Sequence, residues 1–137
     1  MITVVLDTNT LVSGLAWSGP PATIVDAVLA GELLLVSSPP LLNELERVLT
    51  YPKLAGAFPD PATTVWQVRT VAEVVEPTLT LAVVPDEPDN RVLEAAVEAR
   101  VDAVVTGDGG LLALRNHEDI PIMSAADFLG WHRRSER

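Results

Sequence analysis

An α/β fold built on a parallel sheet is what this sequence predicts, and three observations carry it. Short apolar, β-branched runs recur without polar alternation, as strands covered on both faces do. Between them lie segments with apolar residues at 3.6-residue spacing, so strand and crossover helix alternate. The 137 residues fit one domain over 1–137, and 48% hydrophobic with 20% charged residues suits a packed core rather than a disordered chain.

Residues 2–6, Ile-Thr-Val-Val-Leu, stop at Asp7 and read as the first strand. Pro20 and Pro21 mark a helix start; Ile24, Val25, Val28 and Leu29 repeat at helical spacing, and Gly31 ends that helix. Residues 33–36 are a second buried strand. Ser38 is the candidate N-cap of the next helix, whose apolar face is Leu41, Leu42, Leu45, Val48 and Leu49. Residues 51–61 carry prolines and a glycine and read as a loop. Residues 62–75 look helical and stop before Pro77. Residues 79–84 are expected as the third strand. Pro85-Asp86-Glu87-Pro88 leads into a helix over 89–100. Residues 103–106 form a fourth strand ending in Gly107-Asp108-Gly109-Gly110, and 111–115 a short helix. Residues 120–123 supply a fifth strand, and Ser124 caps a last helix. There is no internal repeat, low-complexity tract or linker.

Composition excludes several chemistries. With no cysteine, a disulfide framework, a thiolate zinc site and thiol catalysis are ruled out. His117 and His132 are too few for a His-rich metal site, and read as surface residues. Ser13, Ser37 and Ser38 have no histidine nearby in sequence. The glycine run at 107–110 lacks the lysine of a phosphate-binding loop. No apolar run reaches the ~20 residues of a membrane span. Residues 1–17 have no basic flank and are interrupted by Asp7, so no signal peptide and a cytoplasmic location are expected. The net charge of −10 opposes a broad nucleic-acid grip. Metal screening or a local patch of Arg47 and Arg91 would answer that objection. The segment His132-Arg133-Arg134 reads as a frayed basic end, and Trp17, Trp66 and Trp131 as core or interface anchors.

The acids carry the chemistry. In an open parallel sheet, ligands bind at the carboxyl ends of the strands. Asp7 ends the first strand, Glu44 lies in the second turn after the second, Asp86 and Asp89 follow the third, and Asp108 follows the fourth. Carboxylates gathered at one edge repel unless a cation sits among them. A hard divalent ion, Mg²⁺ or Mn²⁺, suits such oxygen donors. Periodicity does not choose between Glu44 and Glu46. Asp89 precedes Val92 and Leu93 by three and four residues and shares their inward side, whereas Asp86 suits a helix cap.

Leu6-Asp7-Thr8-Asn9, Asn43-Glu44-Leu45, Asp86-Glu87-Pro88-Asp89-Asn90 and Val105-Thr106-Gly107-Asp108 resemble, in order, the acidic motifs of PIN-domain ribonucleases. The likeness is greatest to the VapC-like toxins of bacterial toxin–antitoxin pairs. The resemblance implies a three-layer α/β/α sandwich around a five-stranded parallel sheet of order 3-2-1-4-5. It implies that Asp7, Glu44, Asp89 and Asp108 form the catalytic, metal-binding quartet, with Asn9 and Thr106 supporting them and Asp86 as an accessory acid. It further implies Mg²⁺- or Mn²⁺-dependent endoribonuclease hydrolysis by water, leaving a 5′-phosphate and a 3′-hydroxyl. The partners it implies are an RNA substrate, a cognate antitoxin and a second copy of the chain. Two other readings follow from the residues. One is an interaction module whose acidic edge binds metal without catalysis. The other is a phosphatase of the haloacid-dehalogenase type, which Asp7-Thr8-Asn9-Thr10 resembles. That reading lacks the second aspartate, which is Asn9 here, and a following lysine.

Overall fold

The computed structural model describes residues 1–135. The strands are β1 (Ile2–Leu6), β2 (Leu33–Ser37), β3 (Glu73–Val74), β4 (Ala103–Val105), β5 (Asn116–His117) and β6 (Ile120–Met123). The helices are α1 (Thr8–Ala16), α2 (Pro20–Leu29), α3 (Pro39–Leu49), α4 (Pro61–Val71), α5 (Glu87–Ala99), α6 (Gly109–Leu112) and α7 (Ala125–Ser135), with a 3-10 turn at Pro52–Leu54. The sheet order is β3-β2-β1-β4-β6-β5. All pairings are parallel except that of β5 with β6. Without β5, this is the expected 3-2-1-4-5 order.

Strand residues alternate between two cores. Val4, Leu6, Leu33, Leu35, Ala103 and Val105 join one cluster, which α1, α2, α3, α4 and α7 cover. Val5, Val36 and Val104 join the other, under α5 and α6. Both faces are dry, which is why the strands read as unbroken apolar runs.

Several expectations need correction. The sheet has six strands rather than five, because Asn116–His117 folds back on Ile120–Met123. A two-residue loop does this, with Glu118 and Asp119 at φ 48° and 66°. Positive φ at both loop positions is the hairpin geometry that matches strand twist. Neither residue is the glycine or asparagine that would signal it.

The third strand is Glu73–Val74, next to β2, and not residues 79–84. α4 ends at Val71 rather than running to 75, so those residues are free to pair. The segment 79–84 joins no strand; its backbone is held instead by α5 side chains. The helix α1 is an element that the sequence does not announce. Asp7 caps it directly after β1, without a proline or glycine to mark its start. Trp17 and Trp66 are 59% and 64% exposed, so they do not anchor the core. Trp131 does pack there, 5.7 Å from Phe128. His132 stacks on the same phenylalanine within α7, so the chain there is helical rather than frayed.

Candidate active site

β1, β4 and β6 end side by side, and the polar residues that follow them share one edge. Leu6 pairs with Val105, and Val105 with Met123. The Asp7 amide continues the ladder to the Val105 carbonyl, as Thr106 does to that of Met123. This register sets Asp7, Thr106 and Ser124 along the rim of a cavity of about 440 Å³, with Asp108 beside them.

Asp7 is buried, and both its oxygens are engaged. Oδ1 accepts from the Thr10 amide at 2.9 Å, the N-cap of α1. Oδ2 accepts from the Thr106 hydroxyl. That hydroxyl has one proton, so it donates to Asp7 and accepts from the Asp108 amide, 2.9 Å away. One threonine thus fixes two acids from two strands. Asp108 in turn caps α6, its Oδ2 accepting from the Leu111 amide at 3.0 Å.

Asp89 lies in the first turn of α5 and is buried. Burial, a hydrogen bond with Asp108, and the charges of Asp108, Asp86 and Asp7 push its carboxyl up to about 7. Asp7, Asp86, Asp89 and Asp108 therefore share one electrostatic neighbourhood.

Glu44 stands to one side. Its Oε2 accepts from the Thr8 hydroxyl at 3.0 Å, next to Asp7 in the chain. Its Oε1 is 3.9 Å from Arg47 Nη2, and it lines a neighbouring cleft with Asn43, Arg47 and Arg91. Glu46 is exposed. Among the described residues, no three His, Asp or Glu side chains are already gathered as a metal-holding group.

Of the residues expected to support the acids, Thr106 hydrogen-bonds Asp7 and the Asp108 amide. Asn9 lies on the cavity rim but is exposed and bonds none of them. Thr8 and Thr10 do bond them, and sequence reasoning misses both. The signal is present as Asp-Thr-x-Thr, where a helix cap and a hydroxyl follow the strand-end acid. Asp86 occupies the N-cap position of α5, but its side chain makes no capping bond.

The donor set is carboxylate oxygen with nearby hydroxyls, which fits a hard divalent cation. Arg47 reaches Glu44, but among the described residues the cations at hand do not neutralise Asp7, Asp89 and Asp108. Arg91 is bound to Glu94 at 2.7 Å and lies 3.5 Å from Glu87, while Arg47 Nη1 donates to the Tyr51 hydroxyl at 3.0 Å.

Comparison with known proteins agrees with this architecture. A PIN domain family model matches residues 3–109, which include all four acids. An uncharacterized protein of Methanocaldococcus jannaschii is 29% identical over 120 residues, 84% of this chain and 76% of that protein. Among solved structures, a chain of VapBC2 from Rickettsia felis, bound to a DNA fragment from their promoter, superposes with a TM-score of 0.59. It is 12% identical and covers 88% of this chain and 97% of that one, a likeness of fold. The phosphatase reading gives way to this match. From β1 to the first residue of α6, and so through every acid of the candidate site, the chain belongs to the PIN domain family.

Proposed function

We propose that this domain is a Mg²⁺- or Mn²⁺-dependent endoribonuclease and the toxin of a toxin–antitoxin pair. The observation that carries the reading is the crowding of Asp7, Asp86, Asp108 and Asp89, the carboxyl of the last pushed up by burial first and then by its acidic neighbours. PIN domains are in general nucleases, which sets the reaction class.

Asp7, Glu44, Asp89 and Asp108 would hold the ion. The bound ion supplies a water of lowered pKa and a positive centre for the scissile phosphate. The chain's own residues supply the rest. Thr106 holds Asp7 and Asp108 in fixed relation, and Thr8 holds Glu44 beside Asp7. Water is the nucleophile, and a 5′-phosphate and a 3′-hydroxyl are the products.

An antitoxin partner is supported by the structural neighbour, a VapBC2 complex. An apolar trough lined by Leu11, Leu15, Leu29, Val68 and Val71, with Trp66 exposed on the same helix as the last two, is surface that such a partner would cover. The chain's charge of −10 favours a basic segment there. A homodimer is part of the same reading. Among the described residues, no helix is long and apolar enough to cross a membrane.

The test is cleavage of a panel of structured RNAs at neutral pH with Mn²⁺, against the same reaction with EDTA and the Asp7→Asn variant. Metal-dependent cutting by the wild type alone supports the reading. Metal binding without cutting would favour the interaction module.

A further inference from the structure

The stretch 78–84 lies alongside α5 as a strap that belongs to no strand. Backbone groups of Thr78, Leu81, Val83 and Val84 are bonded by α5 side chains spaced about one helical turn apart. Glu98 accepts from the Thr78 amide at 2.7 Å and from its hydroxyl at 3.0 Å. Glu94, buried, accepts from the Leu81 amide at 2.8 Å and from Arg91 at 2.7 Å. Arg91 also donates to the Leu81 carbonyl at 3.2 Å.

Asn90 is the innermost rung and is fully buried. Its Oδ1 accepts from the Val83 and Val84 amides, each at 3.0 Å. Its Nδ2 donates to the Val84 carbonyl at 2.9 Å and to Glu87 at 3.3 Å. Both acceptor sites and both donors of the amide are thus used.

Asp86 stands at the entry to α5. Where Asp7, Ser38, Asp60 and Asp108 stand at helix N-caps, each side chain accepts from an amide of the first turn. Asp86 occupies the same position on α5 and its side chain caps nothing. Asn90 ties the entry of α5 to the strap, and the non-capping Asp86 carboxylate adds to the charge that bears on Asp89.

We propose that Asn90 is a positioning residue: by tying the strap to α5 it fixes the entry loop and holds Asp86 and Asp89 where both act on the metal site. This rests on the metal-nuclease reading above.

The experiment uses the whole chain, with Mn²⁺ alone as the ligand. Amide hydrogen exchange is measured on the metal-free protein and Mn²⁺ affinity by titration calorimetry. Asn90→Ser is expected to speed exchange at Val83 and Val84. It should weaken Mn²⁺ binding about 10–100-fold, the range seen for partners that orient metal ligands. Glu98→Ala removes the exposed outer rung. It should speed exchange at Thr78 and leave Mn²⁺ affinity within about twofold of wild type, as for an exposed group remote from the ligands. Released Val83 and Val84 amides with unchanged affinity would overturn the proposal, as would an equal loss in Glu98→Ala. If Asn90→Ser does not fold, Glu94→Gln replaces it. That change makes the Leu81 acceptor neutral and weaker. Faster exchange at the Leu81 amide with weakened Mn²⁺ binding then supports the proposal, and faster exchange with unchanged affinity overturns it. Wild-type protein that binds no Mn²⁺ would overturn the metal reading itself, before any variant is compared, and the positioning role with it.

Discussion

Asp7 uses one carboxylate for two purposes, and the two can be separated by a single atom. One oxygen caps α1 through the Thr10 amide; the other takes the Thr106 hydroxyl. Asparagine caps a helix about as well as aspartate, so Asp7→Asn should keep the fold while losing the charge. A carboxylate that touches the metal is worth several kcal/mol in the transition state, so cleavage should fall by upward of about a hundredfold. Unchanged circular dichroism with full activity would remove Asp7 from the site. At the second acid, Glu44 and Glu46 differ in their surroundings where periodicity treats them alike. Glu44 is partly buried and accepts from Thr8, next to Asp7, whereas Glu46 is exposed. Glu44→Gln should therefore damage Mn²⁺-dependent cleavage severely, and Glu46→Gln should alter stability by no more than the few tenths of a kcal/mol usual for surface helix charges. Equal, small losses of activity in the two variants would mean that Glu44 lies outside the site.

At the scale of elements, the legible parts were those with one dominant signal. The runs at 2–6, 33–36 and 103–106 are apolar on both faces, and each forms a strand of the central sheet. Pro20-Pro21, Ser38 and Ser124 each begin a helix, since a fixed φ or a capping hydroxyl acts locally. What failed was non-local. The apolar stretch 79–84 has strand composition, but its partners are side chains of α5, and no local pattern announces a helix that supplies hydrogen bonds to a strand-like segment. The placing of Asp7 and Asp108 at one edge was legible because the sheet brings strand ends together wherever the loops lie. Thr8 and the Asp86 side chain were not, because their roles depend on partners in other elements. The α1–α2 contact gives a prediction of the same kind. A Cβ added at Gly14 would stand 2.5 Å from Val25 Cγ2 and 2.6 Å from the Pro21 carbonyl oxygen. Since the latter is backbone, the helices must part. Gly14→Ala should cost about 1–3 kcal/mol by urea unfolding, the range for overpacking. Cleavage should suffer as well, because Pro21 and Ser13 line the Asp7 cavity. Gly56→Ala is the control: its added methyl meets nothing within 4 Å. Equal stabilities would show that α1 and α2 do not touch at Gly14.

For the whole molecule the governing quantity is charge. A net −10 sets like charges against one another in the compact state, and at the acidic edge a protonated acid or a bound cation would relieve that repulsion. Asp89 shows the first solution, with its carboxyl pushed up to about 7 by burial and by Asp108, Asp86 and Asp7. An unfolded aspartate titrates near ~3.9. Between these values the unfolded chain has lost the proton that the native state still holds. Stability of the metal-free protein should therefore fall as pH rises from about 4 to about 7, then level off. Asp89→Asn removes that term, so without metal at pH 8 the variant should melt higher than the wild type, with the gap closing toward pH 4. Asp108→Asn should act in the same direction, because it keeps the α6 cap while relieving the charge on Asp89. Metal is the second solution. At a hundredfold excess over its dissociation constant Mn²⁺ should stabilise the wild type by roughly 2.7 kcal/mol, if it does not bind the unfolded chain. Both variants should gain less, since each gives up one of the proposed ligands. Thermal melts of the three proteins, in EDTA and in Mn²⁺ and across this pH range, decide the matter. Equal metal shifts in all three, or variants that melt below the wild type in EDTA at pH 8, would mean that Asp89 and Asp108 do not share one cation, and the acidic edge would lose its physical reason to be a metal site.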